Sequence, residues 1–126
     1  MVMDLNLIAK YGIADGTISN FKQRSILYIC DEIIGGQGDG PLNPEPLPLD
    51  FLMLSENPAL MDIPLSYLMK FNPDKLPLLR EARDLMIKDE AEIIFNNQTL
   101  NMSDLAKFSV DTIAPLGWIR YLDNII

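Results

Sequence analysis

The sequence predicts a small, mainly helical single domain spanning residues 1–126, all-α in class. The helices are expected to pack in an orthogonal or irregular way around a proline-rich central arm. Three observations predict this. The chain has 126 residues, one domain's worth, and 48% of them are hydrophobic, enough for a real core. Apolar residues recur at three- and four-residue spacing in several segments. One stretch, residues 35–50, breaks that spacing with four Gly and four Pro in sixteen residues.

The elements follow in chain order. Leu5, Ile8 and Ala9 sit at helical spacing behind Asp4, a good cap, and predict a short helix ending near Tyr11–Gly12. Thr17 or Ser19 is placed to cap a second helix. Within it Ile26, Ile29, Cys30, Ile33 and Ile34 form one apolar stripe, stopped by Gly35–Gly36. The β-branched and aromatic residues of Ile26–Cys30 also suit a buried strand, but the helix is the preferred reading. Residues 35–50 are then a Gly/Pro-rich loop or arm. Alternating prolines favour a polyproline II path, and Leu42, Leu47 and Leu49 suggest that it lies along a surface.

A short repeat follows. Pro48-Leu49-Asp50-Phe51-Leu52-Met53 returns sixteen residues later as Pro64-Leu65-Ser66-Tyr67-Leu68-Met69. Each copy is followed by Asn-Pro, at Asn57-Pro58 and Asn72-Pro73, a cap with Pro at the first helical position. This predicts a run of short helical turns presenting aromatic, Leu and Met side chains. Leu76–Phe95 is expected to be one long helix. Pro77 lies in its first turn, Leu79, Ala82, Met86 and Ile93 share a face, Arg80–Asp84 and Asp84–Lys88 pair on the wet side, and Asn96-Asn97 closes it. Another helix starts at Asn101 or Ser103, with Met102, Leu105, Ser109 and Thr112–Ile113 setting its period, and breaks at Pro115 and Gly117. Trp118, Tyr121, Leu122 and Ile125 form a last amphipathic turn, with Trp118 as a core or interface anchor.

Composition narrows the function. A single cysteine, Cys30, rules out an internal disulfide, and the absence of histidine removes imidazole acid–base chemistry. With one Cys and no His, no metal site is expected. Gly36-Gln37-Gly38-Asp39-Gly40 lacks the Lys-Ser/Thr ending of a phosphate loop, and prolines follow it where a helix would be needed. The acidic cluster Asp89, Glu90, Glu92 reads as a solvated helix face, and Glu81 and Asp84 as surface partners of Arg80 and Arg83. No catalytic constellation stands out, so the chain is expected not to be an enzyme and to use no cofactor. No run of about 20 apolar residues predicts a membrane span. Cytoplasmic or virion-associated placement fits the single free thiol.

What remains points to a protein–protein interaction or assembly subunit, of the kind found among phage structural and adaptor proteins. Its partner is expected to be another protein or a second copy. Aromatic, Leu and Met side chains between prolines suit a pre-ordered docking segment that loses little entropy on binding. The expected interface residues are Leu42, Leu47, Phe51, Leu52, Met53, Tyr67, Met69 and Trp118.

The alternative starts from residues 7–24, LIAKYGIADGTISNFKQR. Gly12 stands at a turn, and Leu7, Ile8, Tyr11, Ile13, Ile18 and Phe21 take apolar positions around it. The segment resembles the helix-turn-helix of small phage and bacterial repressors. That resemblance implies a DNA-binding regulator in which Thr17, Ser19 and Asn20 face the major groove while Lys22 and Arg24 lie near phosphates. Nucleic acid is a partner only in that reading. The net charge of −8 repels phosphate over most of the surface.

Overall fold

The first helix forms and ends where expected, but it starts before Asp4, which lies in its first turn rather than capping it: α1 spans Val2–Tyr11 in the computed structural model, which describes residues 2–87 and 91–122. It ends at Gly12, whose amide donates to Ile8 O at 2.8 Å. A Cβ there would lie 2.5 Å from the Ile8 carbonyl oxygen, so only glycine lets the chain turn this tightly. The Arg24 guanidinium closes the end by donating to Ala9 O at 3.1 Å and Gly12 O at 2.8 Å, satisfying carbonyls that the last turn leaves open.

The all-helical expectation is then overturned. Residues 13–24 form no second helix; they run through turns and an isolated bridge between Gly12 and Ile18. Residues 26–34 are not a helix either. Strand β1 spans Tyr28–Asp39 and pairs antiparallel with β2, Asn43–Ser55, in a hairpin that absorbs the supposed arm of residues 35–50. The fold is mixed α/β. The reason lies in the ladder. Glycines 35, 36 and 38 are tolerable in a strand when a partner supplies backbone hydrogen bonds. The three prolines of β2 are tolerable because β2 is an edge strand. At about 3.4 Å per residue the hairpin is roughly 40 Å long. Its turn is Gly40-Pro41-Leu42, with a cis bond before Pro41. A bulge lies between Glu32 and Ile34, opposite Asp50 at φ 54°.

The remaining elements are shorter than the helical periodicity implied. Helix α2 spans Ala59–Leu68 and α3 spans Pro77–Met86, with Pro77 in the first turn as expected. Ile93–Phe95 is not the end of a long helix but strand β3, paired with β4, Gln98–Leu100, across a turn at Asn96–Asn97. Both asparagines take positive φ, 47° and 64°, which suits a tight hairpin turn. A 3₁₀ helix follows at Met102–Phe108, started by a capping box in which Asn101 and Asp104 each bond the other's backbone, and a second lies at Leu116–Tyr121. Lys88, Asp89, Glu90 and Ile125 lie outside the described residues. The two copies of the repeat adopt different structures: Pro48–Met53 is strand, and Pro64–Met69 is helix and its cap.

The core gathers around α2. Ile63 is fully buried and Leu105 is 1% exposed. Met3 from α1, Ala59 and Ile63 from α2, and Leu79 and Ala82 from α3 form one cluster, with Tyr67, Leu76, Met86, Ile87 and Met102 packed against it. Val110 N donates to Leu68 O at 2.8 Å, and Asn72 N donates to Tyr121 O at 2.9 Å. These bonds tie the C-terminal third back onto α2 and the turn after it. The hairpin reaches this body through one face only, with Leu47 as its buried contact and Gly38 N donating to Ile113 O at 2.7 Å near the tip.

Candidate interaction surface

Alternation along the hairpin sorts its side chains into two faces. On β2 the odd positions Leu47, Leu49, Phe51, Met53 and Ser55 are buried or half-buried, and the even ones are exposed. On β1 Tyr28, Cys30 and Glu32 turn the same way as the odd positions of β2, while Ile29 and Asp31 turn outward. The register pairs Ile29 with Leu54, Asp31 with Leu52, Ile34 with Pro48 and Gly36 with Pro46. The outer face is therefore a mostly apolar strip. Ile29 is 63% exposed, Ile34 69%, Leu52 61% and Leu54 59%. Only Asp31 and Asp50 interrupt it.

The edge of β2 is blunted at its tip half. Pro44, Pro46 and Pro48 occupy alternate positions, where a missing N–H falls on the solvent side of an edge strand. Strand addition is thereby discouraged, while the outer face stays open. The inner face overhangs a groove of about 570 Å³, lined by Phe51, Met53, Leu60, Leu68, Phe95 and Phe108 among others. Phe95 and Phe108 pack at 4.7 Å between ring centroids on its far wall.

The expected interface residues separate on this frame. Leu52 stands on the outer face, and Leu42 caps the hairpin tip at 96% exposure. Phe51 and Met53 face the groove, and Leu47 is buried against the body. Tyr67 packs on the core cluster, and Met69 is the half-buried C-cap of α2. Trp118 is exposed but meets Phe71 edge-on at 6.1 Å and Tyr121 at 5.9 Å. Of the three aromatic residues in the set, only Trp118 is exposed. Ile29, Ile34, Leu54 and the outward prolines were missed. The signal for them was period-two alternation on either side of a Gly-rich turn, outweighed by a helical reading of the same isoleucines.

The five residues expected at DNA lie in the irregular chain between α1 and β1, not on a helix. Thr17 N and Oγ1 both donate to Asp15, Ser19 Oγ accepts from Phe21 N at 3.0 Å, and Asn20 is exposed. Lys22 pairs with Glu56 at 3.6 Å, and Arg24 closes α1. Ser19 and Asn20 border a second cleft of about 620 Å³ beside α1, with Lys10, Tyr28 and Asn57.

Burial pushes the Cys30 thiol up to about 11, helped by the charge of Glu32 and by the hydrogen bond donated to Glu32 Oε1 at 3.6 Å. A thiol held protonated is a poor nucleophile. The hydrogen bond and charge of Lys70 hold the Asp111 carboxyl below its ordinary range, and Lys107 does the same for Asp104 at 2.6 Å. Among the described residues no three Cys, Asp or Glu side chains converge as a metal site would require, and no helix is long and apolar enough to cross a membrane. No protein-family model, curated protein or solved structure matches the chain.

Proposed function

We propose that this chain is a non-catalytic assembly subunit, acting through protein–protein contact at the outer face of its β-hairpin. One observation carries the reading: an apolar strip some ten residues long lies open on a two-stranded element. Monomeric proteins rarely expose a continuous apolar patch of more than a few hundred Å², and a larger one marks an interaction site. An isolated two-stranded hairpin is marginal in water, so a third layer on its bare face would stabilise it. The outward prolines add rigid surface that loses little entropy when covered.

The test is direct. A dye that fluoresces on exposed apolar surface should bind the dilute native chain, and Leu52→Lys with Leu54→Lys should reduce that binding by more than half while far-UV circular dichroism is unchanged. Native chain that binds no dye and stays strictly monomeric would remove the basis of this reading.

A further inference from the structure

The two edges of the hairpin differ in their main-chain chemistry. In an antiparallel ladder the N–H and C=O of one residue point together, toward the partner strand or away from it, and the direction alternates along the strand. Gly38 N donates away from β2, to Ile113 O at 2.7 Å. By alternation Gly36 and Ile34 also turn their main-chain groups away from β2. The register agrees, because Ile34, Gly36 and Gly38 stand opposite Pro48, Pro46 and Pro44. Proline has no N–H, so it sits without loss only where that group would point outward. The tip half of β2 is therefore closed to a new strand, and the edge of β1 across from it is not. Ile34 is 69% exposed and Gly36 is exposed, and among the described residues no hydrogen bond reaches their N–H or C=O from outside the hairpin. The chain's own Ile113 already uses the tip end of this edge. Its C=O takes the Gly38 N–H, and its N–H donates to Gln37 Oε1 at 2.9 Å.

We propose that the outer edge of β1, centred on Ile34 and Gly36, is a strand-addition site for an extended basic segment of another protein. This is a contact at the edge of the hairpin, and it stands whether or not the outer face is covered. A row of main-chain donors and acceptors is matched by another extended backbone, which supplies the same groups at the same spacing. Charge narrows the occupant. The charged residues of the hairpin are Asp31, Glu32, Asp39, Glu45 and Asp50, with no Lys or Arg among them. A strand added about 4.8 Å from β1 sets its side chains alternately beside Ile34 on the outer face and beside Glu32 on the inner one. Apolar residues alternating with Lys or Arg suit those neighbours. A second copy paired through the same edge would instead set carboxylates against carboxylates, on two chains of net charge −8 each.

The probe is an end-blocked Lys-Val-Lys-Val-Lys-Val peptide, titrated to about 1 mM into the full chain and followed by amide hydrogen exchange at single residues. In the free chain the Ile34 and Gly36 amides should exchange faster than those of Gly35 and Gln37, which face β2. Peptide should slow Ile34 and Gly36 by roughly tenfold or more. Binding should weaken several-fold with added salt and in Glu32→Gln. Ile34→Pro removes one outward donor, as Pro48 does across the ladder, and should weaken binding several-fold with unchanged circular dichroism. Should that variant misfold, the same peptide methylated at every main-chain nitrogen tests those bonds on the unaltered chain, and it should not bind. Ile34 and Gly36 amides as slow as their neighbours in the free chain overturn the proposal, because the edge is then not open. So does a peptide that leaves both amides unprotected, or a methylated peptide that binds equally well. A Glu-Val-Glu-Val-Glu-Val peptide that binds as tightly overturns the basic occupant. Protection that rises with the concentration of the chain alone assigns the edge to a second copy and overturns the proposal as well.

Discussion

Ile63 and Cys30 show how far a single position is decided by its surroundings. Among the described isoleucines Ile63 alone is fully enclosed, packed with Met3 of α1 and Leu79 and Ala82 of α3. Ile63→Ala removes buried methyl groups and leaves a cavity. It is expected to cost about 2–5 kcal/mol in urea unfolding, whereas Leu42→Ala, at the exposed tip, should stay within about 0.5 kcal/mol. Cys30 lies on the half-buried side of β1 beside two acids. Burial, the Glu32 charge and the hydrogen bond to Glu32 raise its thiol from 9.0 to about 11. The folded chain therefore holds this proton more tightly than the unfolded chain. Its contribution to stability is fully present below pH 9.0 and is lost as pH climbs through about 11. Alkylation of the native chain should accelerate with a midpoint near 11, and Glu32→Gln should move that midpoint down.

At the scale of elements, the hairpin is the decisive unit. Its glycines and prolines look unsuited to regular structure when read one segment at a time. Paired, they become a ribbon with one bound face, one open face and a blunted edge. The edge argument is testable apart from any partner. Replacing Pro44, Pro46 and Pro48 together by Thr restores three outward N–H groups and raises β-propensity. The expected result is concentration-dependent aggregation with increased thioflavin fluorescence, which the unaltered chain should not show. Helix α1 and the first turn of α3 were legible because apolar spacing, Pro at the first turn and a terminal glycine are local signals. The helix expected over residues 26–34 was not, because Ile26, Ile29, Ile33 and Ile34 satisfy both periods. Only the partner strand, some twenty residues away, decides between them. The same holds for Ile93–Phe95, where the turn asparagines were read as a helix stop and serve as a hairpin turn.

Across the whole molecule the body is organised by α2 and the hairpin is held to it on one side. This makes the monomer more extended than its length requires. A compact chain of 126 residues has a radius of gyration of about 14 Å. Small-angle scattering of the dilute, low-salt monomer is expected to give a larger value, and a value at or below 14 Å would contradict the open hairpin. Leu52 sits in an apolar, proline-flanked stretch and stands on the outer face of the hairpin. Phe51 and Met53, its neighbours in the same motif, turn to the groove instead. The motif could not separate them, since a period of two only has meaning once the strand exists.

The amino-acid sequence by itself determined the acidic charge, the lack of imidazole, the single thiol and the placement of α1. It also determined the apolar, proline-studded character of the middle third, because these are properties of residues and their near neighbours. The tertiary structure alone decided that this middle third is a hairpin, which of its side chains face outward, and that Ile29 and Leu54 stand side by side. Pairing between distant segments converts period into face. Until two strands have met, an alternating run of isoleucine, leucine and proline has no inside or outside.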